Sequence, residues 1–378
     1  MTTIDSYAAS FGEDPGYLNF ARVGPLAPSV IEEAQGQQEL LRRARFGSLA
    51  SLEQQDERVR DAVGAVTGFR PDQISFQPNT STGLMHAMFG LTGGVLFSPA
   101  EFPSISYAAA RSAEALGVLS PTSLDTAGGP VTPGIVRDQL TQSTVAVAVS
   151  LVDYRTGYLA DIDGIRQVIG DRLLIVDAMQ GFGVVDAPYQ VADVVVSGGQ
   201  KWVRAGWGTG FLALSDRAAE RLTPVFSGYA ATDGDSLAAE LPLDKLLRPV
   251  RGAGAFSISP PSPVAQARLS AALEGIANVG VAAIRERLTE KVSRVIELAD
   301  QYAVPVSSPR AEHERAGIVV LEPASDQLTV LAASLFNHGV SVTSRRGTVR
   351  LSPHVSTDDD TFDMLRASFA SFASAITV

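Results

Sequence analysis

Residues 173–210 decide the fold, and they read LLIVDAMQGFGVVDAPYQVADVVVSGGQKWVRAGWGTG. One apolar run ends at Asp177, a second apolar run follows it, and Lys201 comes after two glycines. Asp177 and Lys201 are 24 residues apart (201 − 177), which is about the length of one strand, one connection and a further strand. This spacing predicts that an acid and an amine follow two successive strands.

Strands and helices alternate on both sides of this stretch. Short apolar runs predict strands at residues 74–76, 95–97, 145–152, 173–176, 194–196 and 209–213, with helices between them. The pattern predicts an α/β protein with a mostly parallel central sheet flanked by helices. Ligands bind outside the carboxyl ends of such strands, and four candidate segments fall there: residues 79–81, Phe102, residues 153–154 and Asp177.

The domain organisation follows from chain length and from one loop. A chain of 378 residues favours two domains, and the segment 247–263 is rich in Gly, Pro and Ser. We therefore expect a polar N-terminal arm, a large α/β domain and a smaller C-terminal α+β domain, over residues 1–16, 17–256 and 257–378. Within the smaller domain, strands are expected at 318–321, 340–343 and 348–352.

Charge and composition argue against several classes of function. A net charge of −11 argues against binding to nucleic acid or to an anionic membrane. The sequence contains no run of about 18 apolar residues, so we expect no transmembrane helix. The start of the chain does not have the pattern of a secretory signal, and we therefore expect a cytoplasmic location. The chain has no cysteine, which excludes disulfides, thiolate metal sites and a cysteine nucleophile. Its four histidines show no metal-ligand spacing, so no metal site is expected.

An amine and an acid at neighbouring strand ends can hold pyridoxal 5′-phosphate (PLP). Lys201 would form the Schiff base with the cofactor's aldehyde, because a partly desolvated lysine is a good nucleophile. Asp177 would face the pyridine nitrogen and keep it protonated, which makes the ring an electron sink. Thr80 and Ser81 open a helix and would bind the phosphate, although the same residues also serve as ordinary helix caps.

The remaining candidates concern the ring face and the substrate. Phe102 follows a strand end and would stack on the ring, with a core aromatic as the alternative. Arg350 would bind the substrate carboxylate through its planar fork. Three other arginines compete for that role: Arg22, Arg345 and Arg346. Two further aromatic residues are candidates to line a small, partly apolar pocket: Tyr154 and Trp207.

The motifs VDAMQGFGVV, SGGQKWVRAGWGTGFL and VRLSPHVSTDDD resemble the class V aminotransferase family, as do YLNFARVGPLAP and EFPS. This group of fold type I PLP enzymes includes cysteine desulfurases, kynureninase and isopenicillin-N epimerase-like proteins. The resemblance implies the fold type I architecture and a homodimer with active sites at its interface. It also implies that Gln180 contacts the ring hydroxyl oxygen, that Ser197 is a weaker phosphate contact, and that Ser257 reaches the neighbouring subunit's phosphate.

Departures from the family pattern narrow the reaction. Desulfurases place histidines where Phe102 and Gln200 stand here, and they use a loop cysteine, so persulfide-forming desulfuration is excluded. The loop 252–259 lacks the usual Gly-Thr pair, which leaves the role of Ser257 open. We expect a PLP-dependent enzyme that acts on a small amino acid, and transamination is the reaction we favour. A C–S or C–C lyase of the kynureninase or epimerase-like kind is the alternative, and a non-catalytic PLP-fold binding protein is the third possibility.

Overall fold

A computed structural model describes residues 2–232, 242 and 246–376. The helices are α1 (Ile4–Ala9), α2 (Pro28–Arg43), α3 (Ser48–Glu53), α4 (Gln55–Thr67), α5 (Thr80–Gly90), α6 (Pro103–Leu116), α7 (Pro133–Gln139), α8 (Ile162–Val168), α9 (Asp216–Arg221), α10 (Pro263–Val279), α11 (Val281–Gln301), α12 (Leu328–Asn337) and α13 (Asp359–Ile376). The strands are β1 (Ile74–Phe76), β2 (Gly93–Phe97), β3 (Leu119–Ser123), β4 (Thr144–Ser150), β5 (Leu173–Asp177), β6 (Val194–Gly198), β7 (Gly210–Leu214), β8 (Val319–Leu321), β9 (Thr343–Arg345) and β10 (Thr348–Leu351).

Seven strands form the central sheet in the order β1-β7-β6-β5-β4-β2-β3. Strands β3, β2, β4, β5 and β6 are parallel to one another. Strand β7 alone runs against both of its neighbours, β6 and β1. The predicted α/β architecture with a mostly parallel sheet is therefore confirmed.

The sheet is buried on both faces because its strands carry apolar residues at successive positions. On β5, Leu173 and Ile175 belong to a core shared with α5 and α6. Leu174 and Val176 point the other way, into a core shared with α4, α8 and α10. Successive strand side chains alternate between faces, so a continuous apolar run fills both cores and fixes where the strand ends.

A second, three-stranded antiparallel sheet has the order β8-β10-β9 and lies within residues 257–378. The N-terminal segment joins it, since Tyr17 pairs with Ser341 and Asn19 with Ser352. Helix α10 packs on α2 and α4, and α1 lies inside the predicted arm. The domain limits at residues 16 and 256 stay predictions.

Among the described residues, no single helix is long and apolar enough to cross a membrane. Helices α10 and α11 meet the length and composition criteria only when taken as a pair, and that pair is bent by 84°.

Candidate active site

A cavity of about 130 Å³ lies where β4 and β5 end and α5 begins. It brings together most of the predicted site residues together with polar neighbours that the sequence did not single out. Its lining comprises Asn79, Thr80, Ser81, Phe102, Ser104, Ser150, Val152, Tyr154, Asp177, Met179, Gln180, Gln200 and Lys201. The cavity therefore occupies the edge of the sheet at which parallel α/β proteins bind their ligands.

The lysine predicted to form the Schiff base, Lys201, lies in the cavity. The chain contains three lysines, Lys201, Lys245 and Lys291. Lys291 lies on α11 beside the ring of Phe362, and Lys245 is outside the described residues. Lys201 lines the cavity, with Nζ 5.5 Å from the centroid of the Phe102 ring.

The surroundings of Lys201 make its amine more reactive. Burial lowers the pKa of Lys201 to about 8, and the positive charges of Arg350 and Arg345 lower it further, while Asp177 opposes them. A neutral amine is the nucleophilic form. The side chain is thus suited both to imine formation and to proton transfer near neutral pH.

Asp177 ends β5 inside the cavity and is 4% exposed. Its Oδ1 accepts a hydrogen bond from the Met179 backbone N–H at 2.9 Å. Burial raises the pKa of Asp177, because the charged form is poorly solvated there. A protonated pyridine nitrogen is the kind of partner that would restore the ionised carboxylate, so Asp177 fits its predicted role.

The start of α5 offers hydroxyl groups and free N–H groups. Asn79 caps the helix by accepting from the Thr82 N–H at 2.9 Å. Thr80 Oγ1 donates to the Met179 sulfur, a weak acceptor, at 3.1 Å, and Ser81 Oγ lies 2.8 Å from Ser104 Oγ. These donors, with the positive end of the helix dipole, fit a phosphate group.

Two more predicted residues border the cavity. Phe102 meets Tyr154 edge to face, at 5.2 Å between ring centroids and 87° between planes. Gln180 is held at both ends of its amide, since Nε2 donates to the Ala21 carbonyl at 3.0 Å and Oε1 accepts from Trp202 Nε1 at 3.0 Å. One amide hydrogen of Gln180 therefore remains for a ligand oxygen.

Arg350 is joined to the cavity by a hydrogen bond to Tyr154, which lines it. The residue is 6% exposed, and its Nη1 donates to the Tyr154 carbonyl at 2.9 Å. Its Nε is buried without a partner, and burial lowers the pKa of Arg350 to about 10. A carboxylate ligand would accept a hydrogen bond from this unpartnered donor and would balance the buried positive charge.

Three further predicted or candidate residues do not line the cavity in this chain. Ser197 has no exposed surface, and its hydroxyl makes only a long 3.5 Å contact with the Gly198 carbonyl. Ser257 follows a short 3-10 turn and accepts from the Gly228 N–H. Trp207 is 67% exposed. Their roles stay predictions.

Glu101 is an acid next to the cavity that the sequence analysis did not assign, and it lines a neighbouring pocket that shares Ser150 with the cavity. Its carboxylate accepts from the Ser150 N–H at 3.1 Å, and Ser150 pairs with Asp177 in the sheet. Burial raises the pKa of Glu101 to about 7, and the charges of Asp153 and Asp177 add to that effect. The position directly before Phe102 was the available signal, but nothing in the sequence shows that this acid points inward.

Residues 41–378 match the family model described as aminotransferase class-V. The chain belongs to the class V aminotransferase family. Membership confirms the recognised family, the expected PLP cofactor and a PLP-dependent enzyme of the transferase or lyase kind. The chain is 23% identical to the uncharacterized aminotransferase YcbU of Bacillus subtilis over 79% of this chain and 78% of that protein. It is 28% identical to a kynureninase of Deinococcus radiodurans over 68% of this chain and 64% of that protein.

Solved structures confirm fold type I for this class V chain. A cysteine desulfurase from Thermococcus onnurineus superposes with a TM-score of 0.81 at 21% identity, covering 93% of both chains. A C-DES variant with glycine covalently linked to PLP superposes with a TM-score of 0.84 at 18% identity, covering 94% of this chain and 96% of that one. At these identities the likeness concerns the fold alone.

Proposed function

We propose that this class V enzyme is an aminotransferase acting on small amino acids, with Lys201 as its acid–base group. The lining of the cavity supports this proposal best, since its described residues include one amine and neither histidine nor cysteine. A single amine that removes a proton and returns it suffices for transamination. A C–S or C–C lyase usually uses a further group to help the side chain depart, and it stays the alternative.

The side chains divide the work as follows. PLP, when bound, supplies the electron sink that makes the substrate α-proton acidic. Lys201 Nζ would accept that proton and deliver it back, since its pKa of about 8 leaves part of it neutral near pH 7. Arg350 would hold the substrate carboxylate through its unpartnered Nε. The presence of Lys201, Asp177 and Arg350 together argues against a non-catalytic binding protein.

We further propose a homodimer whose active sites lie at the interface. Leu26 is 41% exposed and packs beside Gly206, next to the 67% exposed Trp207, so an apolar patch borders the loop that carries Lys201. Exposed apolar patches of this kind often mark association surfaces. Ser257 would then be close to the partner's phosphate site. The cytoplasmic location stays a prediction.

The visible absorption spectrum of the PLP-loaded protein tests the reaction. We expect a band from the cofactor linked to Lys201, absent in Lys201→Ala and retained in Lys291→Ala, a matched control far from the cavity. An aminotransferase will convert this band durably with an amino acid and recover it with a keto acid. A band that recovers by itself while pyruvate, alanine or sulfide accumulates would instead identify a lyase.

A further inference from the structure

The hairpin of β9 and β10 places two arginines on one face of the small sheet. Arg350 pairs with Thr343 and Thr348 pairs with Arg345. Paired residues share a face, as do residues two apart in a strand. Arg345 and Arg350 are therefore diagonal neighbours on the same face. That face is turned to the cavity, because Arg350 Nη1 bonds the carbonyl of Tyr154, which lines it.

No acid among the described residues neutralises the positive charges at this place. Arg22 and Arg345 both lie close enough to Arg350 to lower its pKa, and Arg345 also acts on Lys201. Within the described part of the chain, none of these three arginines forms an ion pair with an acid. A chain with a net charge of −11 thus keeps a cluster of unpaired cations at one mouth.

Among the described residues, three acids near the cavity make other contacts. Asp153 pairs with Arg155 at 2.8 Å. Asp177 accepts from the Met179 N–H, and Glu101 accepts from the Ser150 N–H. Among the described residues no acid forms an ion pair with the arginine cluster, so the cluster can bind an anionic ligand.

The number of cations exceeds what one carboxylate requires. The α-carboxylate of an amino acid is matched by a single guanidinium fork, and the buried Arg350 with its free Nε provides one. Arg345 is exposed, whereas Arg350 on the same face is 6% exposed. We propose that the substrate is an amino acid with a second carboxylate on its side chain, bound by Arg345 while Arg350 binds the α-carboxylate. This inference rests on the proposed function and names its substrate class.

The test compares near-isosteric substrates that differ in charge. With the PLP-loaded protein, L-glutamate is compared with L-glutamine and L-aspartate with L-asparagine, by the concentration that half-converts the cofactor band and by kcat/KM. We expect each acid to be preferred over its amide by about tenfold or more, as for a charge-assisted hydrogen bond. Arg345→Gln should weaken the acids far more than the amides and bring the ratio of acid to amide close to one. Arg346→Gln, in the adjacent turn, is the matched control and should keep the preference.

A binding measurement makes the result independent of turnover. Calorimetry of glutarate with the PLP-loaded protein should show binding that Arg345→Gln weakens about tenfold and Arg346→Gln does not. Equal kcat/KM for glutamine and glutamate in the unaltered protein would overturn the inference. Equal glutarate affinity of the Arg345→Gln and Arg346→Gln variants would also overturn it. If no amino acid changes the cofactor band, the proposed function fails, and the substrate class fails with it.

Discussion

The reactivity of Lys201 depends on a balance of local charges and burial. Burial is the largest cause of its lowered pKa of about 8, Arg350 and Arg345 act in the same direction, and Asp177 acts against them. Below the pKa the ammonium form cannot attack an aldehyde. We therefore expect Lys201 to react with a small aldehyde such as salicylaldehyde with a midpoint near pH 8, well below the ordinary lysine value of about 10.4.

The measurement is the rate of borohydride-trapped labelling against pH, after subtraction of the Lys201→Ala signal. Asp177→Asn provides the sharper comparison. Because Asp177 raises the pKa of Lys201, its neutralisation should move the midpoint to lower pH. A midpoint above pH 10, or an upward movement in Asp177→Asn, would contradict this account of the site.

The raised pKa of Glu101 should make the stability of the fold depend on pH. Burial raises its pKa to about 7, above the ordinary value of 4.5. The folded state then binds this proton more tightly than the unfolded state, so the free energy of unfolding should fall as pH rises from about 4.5 to 7. The pKa difference corresponds to at most about 3 kcal/mol.

Glu101→Gln keeps an oxygen that can accept from the Ser150 N–H and removes the titration. We expect the variant to be as stable as the unaltered protein at pH 5 and more stable at pH 8. Urea denaturation midpoints at the two pH values measure this difference. If the difference between the two proteins' urea midpoints is the same at pH 5 and pH 8, Glu101 does not titrate as proposed.

The sequence can predict site residues that lie at strand ends. It cannot predict residues whose placement or pKa depends on how the folded chain buries them. Asp177 and Lys201 follow apolar runs, and the structure places both in one cavity. Gln200 lies beside Lys201 and lines the cavity, yet that placement depends on how the loop packs. The pKa values of Glu101 and Lys201 likewise depend on desolvation, which only the folded chain provides.

At the level of elements, the N-terminal segment holds the lysine loop in place. Gly24 donates its N–H to the Gln200 carbonyl at 2.9 Å, next to Lys201. Arg204 has φ +61° and is 1% exposed, and it pairs with Glu13 at 2.7 Å. Its guanidinium also lies 4.0 Å from the ring centroid of Phe11. Arg204 thus ties the lysine loop to residues far away in sequence.

Loss of this ion pair should destabilise the protein. Glu13→Ala leaves Arg204 buried without its acid, which typically costs about 3–5 kcal/mol. We expect a lower melting temperature and faster loss of PLP on dialysis, since the lysine loop loosens. Glu39→Ala removes an exposed partner of Arg42 on α2 and should change stability by less than about 1 kcal/mol. Equal effects of the two variants would rule out this role for Glu13.

Elements with strong apolar runs could be predicted, whereas polar edge elements could not. The strand at 74–76 has the predicted limits, and β5 and β6 each begin at the predicted residue. Strand β3 reads LSPTS and was not predicted, because proline and exposed polar residues are tolerated at a sheet edge. The arm predicted over residues 1–16 contains a helix, α1.

For the whole molecule, the site draws on three distant parts of the chain. The large sheet supplies Asp177 at the end of β5, the N-terminal segment supplies the carbonyl that fixes Gln180, and the small sheet supplies Arg350. The parallel sheet could be predicted from its alternating elements. The joining of residues 17–19 to the small sheet could not, because isolated bridges between segments leave no periodic pattern in the sequence.

The exposed apolar patch of Leu26 and Trp207 is where we expect two copies of the chain to associate. If this patch is covered by a second copy of the chain, sedimentation should give about twice the 39.7 kDa of one chain. Trp207→Asp should shift the protein toward monomer and weaken PLP retention, because a buried unpaired charge opposes association. Phe336→Asp, at an 83% exposed position on α12, is the matched control and should leave the assembly unchanged. A monomer at micromolar concentration in the unaltered, PLP-loaded protein would contradict the dimer, and with it the proposed reach of Ser257 into a partner's site.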